Sequence, residues 1–549
     1  MKNVQKSGCM RFSHLKFNGK CRFLIFSAAL FFCPVEAFGQ NHAEEDQHSQ
    51  EETIGYSKLP VGKDGKPSRL TLEEIVQLVL ENNTMVRIQK LELVKSDTEL
   101  MKDESKYAPI LGMGYQGSQR KDKPLPSSVF SGTKTYTDRY YANISKLFSS
   151  GTYFQLEVSD TRFDSNAGES FLAQSSFAGS LAQPPLHTGA LTVVLRQELL
   201  KNSFGYNQRR MNEISRNNAL MRKHDVSFQL GQLIVQAMVE YWQLAIADEN
   251  LETSRVLLDN TKNIRNITIR KRGIGLAETF EINQWNAIVA NSEIRLDSAE
   301  MERDMRKRNL LRTLNLDPES EIDGSSQLLE KIPGDIDLKK DINHALQTRP
   351  DYKNIKLQKA NAEKLHELAK NNLLPSVTIG GKYSSRGYGR HANSSSIPDE
   401  VSDGRYPESS VEFRVEYPLW DKGAKADSRN AEIALKQMDI QEREMRRRIE
   451  DDVRESMDRI HTSHTALVKT KEALKQTEAF YRGLLVRYTQ GRFNAETVKN
   501  ALDALVQARL SYMQAKINFN ISLVRYDLAR NTIFKKYNID IDKIIESQN

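Results

Sequence analysis

The chain writes its plan twice. A polar, charged helical run from Leu70 ends in Lys106-Tyr107-Ala108-Pro109 and passes into Ile110-Leu111-Gly112-Met113-Gly114-Tyr115. A second run from Ile342 ends in Asn372-Leu373-Leu374-Pro375 and passes into Ser376-Val377-Thr378-Ile379-Gly380-Gly381. In each copy strands follow, then a very long helix, a glycine-containing turn and a second long helix. The two turns share letters, Gly273-Ile274-Gly275-Leu276-Ala277-Glu278-Thr279 against Gly491-Arg492-Phe493-Asn494-Ala495-Glu496-Thr497. A duplication of this size decides the architecture before any single residue is weighed: residues 70–338 make one repeat and 339–549 the other.

Two segments precede the repeats. Residues 1–22 carry Lys2, Lys6, Arg11, Lys16, Lys20 and Arg22, and the apolar run Phe23 to Phe32 is only about ten residues long, too short to span a bilayer. Residues 1–39 therefore read as a secretory signal, cleaved after Ala37-Phe38-Gly39. A lipoprotein reading through Cys33 is weaker, because Leu30-Phe31-Phe32 puts bulky residues where a small one is usual. Cys9, Cys21 and Cys33 all fall within this signal, so neither disulfides nor thiol chemistry carries the function of the mature chain. Much of the formal charge of +7 sits there too: six basic residues and one acidic residue remove five charges and leave about +2, which implies no nucleic-acid partner. Residues 40–69, with His42, Glu44, Glu45, Asp46 and His48, read as a polar leader. No run of about 18 apolar residues follows, which excludes a helical membrane span. An exported chain still enters a membrane as a closed barrel, whose strands hide their hydrophobicity by alternation.

From Asn207 to Arg272, and again from Ala424 to Gln490, there is no proline and hardly any glycine. Each stretch predicts a helix of about 65 residues, on the order of 100 Å long, which no ordinary globular core needs. Shorter helical stretches are expected at 276–315, 341–372, 495–535 and 70–108. Set end to end, 276–315 with 341–372 and 495–535 with 70–108 each match one long rod, with breaks at mid-height around Asp317-Pro318 to Pro333-Gly334. Leu502, Leu505, Val506, Leu510, Met513, Ile517 and Ile521 keep three- and four-residue steps, while Ala501, Ala504, Ala508 and Ala515 let helix axes approach. Charged runs such as Arg446-Arg447-Arg448 mark a solvated face.

In Val411-Glu412-Phe413-Arg414-Val415-Glu416-Tyr417 every odd position is apolar and every even one charged, the pattern of a strand with one dry and one wet face. Six segments are strand-like: 110–119, 138–148, 151–159 and 189–198 in the first copy, 376–386 and 409–417 in the second. Whether four or six enter one wall stays open at this point. Tyr140, Tyr141, Tyr153, Phe154, Tyr417 and Trp420 are placed near strand ends, where aromatic girdles belong. Segments 119–137, 160–188 and 386–408 are rich in Ser, Gly, Asp and Pro and read as exterior loops.

Several linked signatures resemble those of the TolC-like outer-membrane efflux protein family over roughly residues 70–535. They are Arg349-Pro350-Asp351, the prolines closing each pre-strand helix (Pro109 and Pro375), Tyr417-Pro418-Leu419-Trp420-Asp421-Lys422-Gly423 at the return to helix, and Gly491 followed by Ala501, Ala508 and Ala515. The resemblance implies a mostly α, α+β fold in which a homotrimer joins an outer-membrane β-barrel to a long periplasmic α-helical barrel. It also implies outer-membrane lipid, a periplasmic adaptor protein and an inner-membrane pump as partners, and no cofactor. Adaptor docking would fall on the hairpin tips, Gly273, Gly275, Leu276, Ala277 and Glu278 with Gly491, Arg492, Phe493 and Ala495. Glycine suits such a turn because reversing a helix needs φ > 0 without a Cβ penalty. Gating candidates are Arg487, Arg492, Glu496, Thr497 and Asn500. The family's acidic ring is not matched, since Thr497 and Asn500 stand at the aligned positions and Glu496 lies one residue earlier. The first return to helix also lacks the usual Gln-Pro and reads Arg196-Gln197-Glu198-Leu199-Leu200.

The sequence offers little to an enzyme. There is no glycine-rich phosphate loop after a strand, no nucleophile elbow and no convincing acid pair, so no catalytic residue is assigned. His461 and His464 have metal spacing on a helix but no third ligand nearby, and no metal site is assigned. An exported coiled-coil scaffold or adhesin would explain the rods, though not the Pro-bounded alternating strands in both halves.

Overall fold

The computed structural model describes residues 68–123, 132–167, 185–323, 328–334, 336–390 and 397–540. The signal 1–39, Cys33, nearly all of the leader 40–69 and the middles of the three loop segments lie outside them.

Each half opens with a broken helix. Ser68–Arg69 (β1) leads to α1 (Leu72–Asn82) and α2 (Thr84–Glu104). Asn83 ends one helix and caps the next, its side-chain oxygen accepting the N–H of Met85 at 2.8 Å and Val86 at 3.3 Å. Strands β2 (Ile110–Lys121), β3 (Lys134–Leu147), β4 (Thr152–Ser165) and β5 (Leu186–Glu198) follow, then α3 (Tyr206–Gly273), α4 (Thr279–Thr313) and β6 (Ile322–Asp323), which pairs in parallel with β1. The second half has α5 (Leu338–Thr348), α6 (Pro350–Asn371), β7 (Ser376–Arg390), α7 (Ile397–Ser402), β8 (Tyr406–Glu416), α8 (Lys422–Thr489), α9 (Ala495–Ala529) and α10 (Ile533–Lys536). Pro350 opens α6 at its first position, where its missing N–H costs nothing. The expected single helices 70–108 and 341–372 are thus each two helices.

The matched lengths are close. α3 and α8 both run 68 residues, about 100 Å, and α4 and α9 both run 35. Among the described residues no helix is long and apolar enough to cross a membrane.

All six long strands join one antiparallel sheet in the order β2-β3-β4-β5-β7-β8. The strands outrun their sequence bounds because Ser-, Asp- and Gly-containing ends keep the ladder register: β3 begins at Lys134, which puts Tyr140 and Tyr141 in mid-strand rather than at an end.

The end-to-end pairing of the shorter helices is the reverse of the one expected. α2 lies along the strand-proximal part of α3, where Asn212 bonds Tyr107 and Arg222 Nη2 meets Glu99 at 3.4 Å. α4 lies along its distal part, through Asp248–Arg303 at 3.1 Å and Lys262–Glu293 at 3.2 Å. The two meet where Asn83 Nδ2 donates to the Thr313 carbonyl at 2.7 Å. In the same way α6 and α9 flank α8 and meet where Asn531 Nδ2 donates to the Thr348 carbonyl at 3.0 Å. Length cannot choose between the pairings, since all four half-rods are similar; the junction bonds do.

Three clusters form the core. One at mid-height holds Ile75, Val79, Ile234, Trp242, Leu310 and Val524; a second near the tips holds Ile264, Trp285, Leu484, Val498 and Leu502; a third between α5, α6, α8 and α9 holds Tyr352, Ile449, Val453 and Phe519. Each fully buried side chain of this size contributes about 1.5–3 kcal/mol. On α9, Leu502, Val506 and Ile517 are buried as their spacing predicts, with Ala501 and Ala515 beneath the close contact, whereas Ala504 faces solvent.

Candidate functional site

The two helical hairpins end in the same backbone device. In the first, Gly275 has φ of +79°, its N–H donates to Arg272 O at 3.0 Å, and Leu276 N–H donates to Lys271 O at 2.8 Å. In the second, Gly491 has φ of +77°, its N–H donates to Tyr488 O at 3.0 Å, and Arg492 N–H donates to Arg487 O at 3.0 Å. A left-handed residue closing the helix with these paired bonds is what glycine supplies without a Cβ penalty. Gly275 therefore corresponds to Gly491. The shared letters Ala-Glu-Thr are out of register by two residues, and Gly273 is merely the last helical residue, with no positive φ.

Both chains then re-enter a helix. Glu278 occupies the cap position of α4 without a side-chain bond, and Asn494 caps α9, accepting Thr497 N–H at 3.0 Å and the Thr497 hydroxyl at 2.6 Å. Thr497 is thereby committed to capping. Ala495 is buried, whereas Arg487, Arg492, Phe493, Glu496 and Asn500 are exposed, as are Ile274, Leu276 and Phe280; Ala277 is half-buried. A Cβ on Gly491 would lie 3.8 Å from Leu276 Cδ1, so the tips touch.

Behind them lies a cluster that the sequence reading missed. The hydroxyls of Tyr488 and Thr268 are 2.6 Å apart, and the Lys271 ammonium stands 4.0 Å from the centre of the Tyr488 ring. Thr268, Tyr488 and Trp285 are fully buried and Lys271 nearly so. Burial pushes the Tyr488 hydroxyl above its ordinary pKa. This cluster fastens the end of α3 to the end of α8. Its signal in the sequence was only Tyr488 on the buried step of Tyr481 and Leu484.

At mid-height the Arg349-Pro350-Asp351 signature has a structural explanation. Arg349 is buried and grips Asp351 with two bonds, 3.0 and 2.6 Å, while reaching Asp452 at 3.3 Å and the Ala529 carbonyl at 3.4 Å. Burial opposes its charge, but the bonds to Asp351 and the field of Asp452 prevail and raise its pKa. Nearby, the linker 328–334 is strapped to α8 and α9. Glu330 meets Lys471 at 2.5 Å, Lys516 at 2.9 Å and the Tyr512 hydroxyl at 2.9 Å, which hold its carboxyl down to about 2.

Pro109, Pro375 and Pro418 flank β2, β7 and β8 as expected, and Asp421 caps α8 by accepting Ala424 N–H at 2.9 Å. His464 rests against Phe519, with ring centres 5.3 Å apart, and no group of three metal-ligating side chains occurs among the described residues.

Residues 342–529 match the family described as outer membrane efflux protein. Toxin and drug export protein A of Aggregatibacter actinomycetemcomitans is 19% identical over 310 residues, 54% of this chain and 64% of that protein, so the chain spans less than two thirds of that relative. The fold is similar to that of the outer-membrane channel OprN, with a TM-score of 0.61 and 17% identity over 84% of this chain and 90% of that one. It is equally similar to the Campylobacter jejuni CmeC outer membrane channel, with a TM-score of 0.61 and 15% identity over 87% and 88%. The second half of the chain thus matches an outer membrane efflux protein domain, set within a chain whose fold is similar to those of solved outer-membrane channels.

Proposed function

We propose that the chain is the exit duct of a tripartite efflux or type I secretion system. Three copies close their sheets into one outer-membrane barrel and their helices into a tunnel across the periplasm. Substrate arrives from an inner-membrane pump through a periplasmic adaptor and leaves through water; the duct conducts and does not catalyse. The two halves, 70–338 and 339–549, are copies of one unit, a reading supported by the equal lengths of α3 and α8 and of α4 and α9.

The observation that carries this reading is one sheet with two unlike faces and two edges that no described strand pairs, leading directly into both 68-residue helices. Along its edges Leu111, Met113, Val411 and Phe413 are 62–80% exposed, and an open apolar edge is a liability until another chain closes it. At the far end, exposed Ile274, Leu276, Phe280 and Phe493 give an adaptor an apolar surface to grip. Arg487, Arg492 and Glu496 form no ion pair with any described residue and are free to exchange partners when the tips splay. Asn500 lies beside them as a further gating candidate.

The test is direct. Protein purified in detergent should behave as a trimer and pass ions in a planar bilayer; a soluble, monomeric, electrically silent chain would instead indicate a coiled-coil scaffold. Photocrosslinkers at Arg492 and Leu276 should capture an adaptor. Capture only from the strands would overturn the docking assignment.

A further inference from the structure

The dry face of the sheet is not level. Leu111, Ile144, Leu156, Val193, Tyr383 and Ser409 stand side by side in one row across all six strands. On β2 this row is the lowest apolar one, and apolar residues climb from it toward the loops through Met113 to Tyr115. On β8 the row is already polar, and apolar residues descend toward the helices from Val411 through Phe413 to Val415. The top of the stripe thus falls by three rows between the two edges, and so does the bottom. Six residues of rise are about 20 Å and five strand spacings about 24 Å, so the stripe crosses the sheet at about 40°. Strands of a closed barrel tilt from its axis by about this angle.

The same face changes character just above the stripe. Asp138, Arg162 and His187 are direct cross-strand partners, with Arg162 3.9 Å from Asp138 and His187 Nδ1 3.3 Å from Asp160. Beside them α7 folds back over Gly189 and Gly387, themselves paired. A Cβ on Gly189 would stand 2.3 Å from Ile397 Cγ2, and one on Gly387 2.6 Å from the Ile397 carbonyl, so only hydrogen fits beneath this helix. The Ser385 hydroxyl donates to Val401 O at 2.6 Å, and Tyr388 N–H donates to Glu400 Oε2 at 2.9 Å. Asp399 and Ser402 remain exposed. The opposite face keeps its own ion pairs, Arg139–Glu157, Arg386–Glu408 and Arg414–Glu412.

We propose that the oblique stripe is the chain's contact with lipid hydrocarbon and sets a strand tilt of about 40°, and that the Asp138–Arg162–His187 row with α7 lies in the polar layer of the outer leaflet. A lipid-facing arginine is strongly unfavourable at the bilayer midplane and tolerated near its surface, which places that row at the boundary. The proposal rests on the barrel reading and adds to it which residues touch oil and where the wall emerges.

Nitroxides on single cysteines in the membrane-inserted full chain test it, read as collision with dissolved oxygen against a water-soluble nickel chelate. Leu111→Cys and Ser409→Cys share one row. Leu111→Cys and Phe413→Cys should favour oxygen severalfold, whereas Ser409→Cys and Asp399→Cys should favour nickel, as should Lys382→Cys on the wet face. Ile379→Cys replaces Phe413→Cys should that variant fail to insert. Equal oxygen preference at Leu111→Cys and Ser409→Cys would overturn the tilt, and oxygen preference at Asp399→Cys the boundary. Should inserted protein show oxygen preference at none of these positions, the barrel reading falls as well.

Discussion

The tips show how far a residue's identity carries its role. Gly275 and Gly491 are held in the left-handed region, while Gly273 is not. Alanine at either of the first two should cost about 1 kcal/mol through backbone strain; Gly273→Ala should be neutral or stabilise by up to about 1 kcal/mol, as in any helix. Thermal melting in detergent separates the outcomes, and equal losses at all three would contradict the cap assignment. A helix-reversing glycine was legible in the sequence; which glycine was not, because the repeated letters Ala-Glu-Thr advertise a register that the hydrogen bonds refuse. Thr497 illustrates the same limit: it is an aperture candidate by resemblance alone, and its hydroxyl donates to Asn494.

At the scale of elements, long helices were legible from the absence of proline and glycine, but their breaks and neighbours were not. Asn83 sits in an otherwise helical run and interrupts it because its side chain satisfies the N–H of Met85 and Val86 as well as the Thr313 carbonyl. Asn83→Ala should therefore lower stability by about 1–2 kcal/mol, more than a surface substitution on the same helix. The Glu330 strap is equally hidden, since three partners from two helices converge on a loop carboxylate. Its pKa near 2, against an ordinary 4.5, means that its stabilisation is complete above pH 4.5 and fades as pH falls toward 2. Glu330→Gln should remove that part of the acid sensitivity; a melting temperature that falls between pH 5 and pH 3 as steeply as in the parent chain would count against the strap.

For the whole molecule, alternation announced strands, and the pairing of all six into one sheet settles a count that the sequence left between four and six. The count stayed open because the first copy offers four strand-like segments and the second only two, so two matched repeats would supply four strands and the segments themselves six. The first half owns the hairpin of β3 and β4 and the second has no equivalent among the described residues, although their helices match in length. In a ring of three chains, two additional staves tilted by about 40° add about 12 Å of circumference per chain and widen the mouth by about 12 Å in diameter. Excising residues 134–165 would bring β2 beside β5 in the same antiparallel sense. The largest polyethylene glycol able to enter from the outer side should then become smaller, while the tunnel below keeps its bore. The protein would thus set the calibre of its exit with one hairpin, independently of the rods that deliver the cargo.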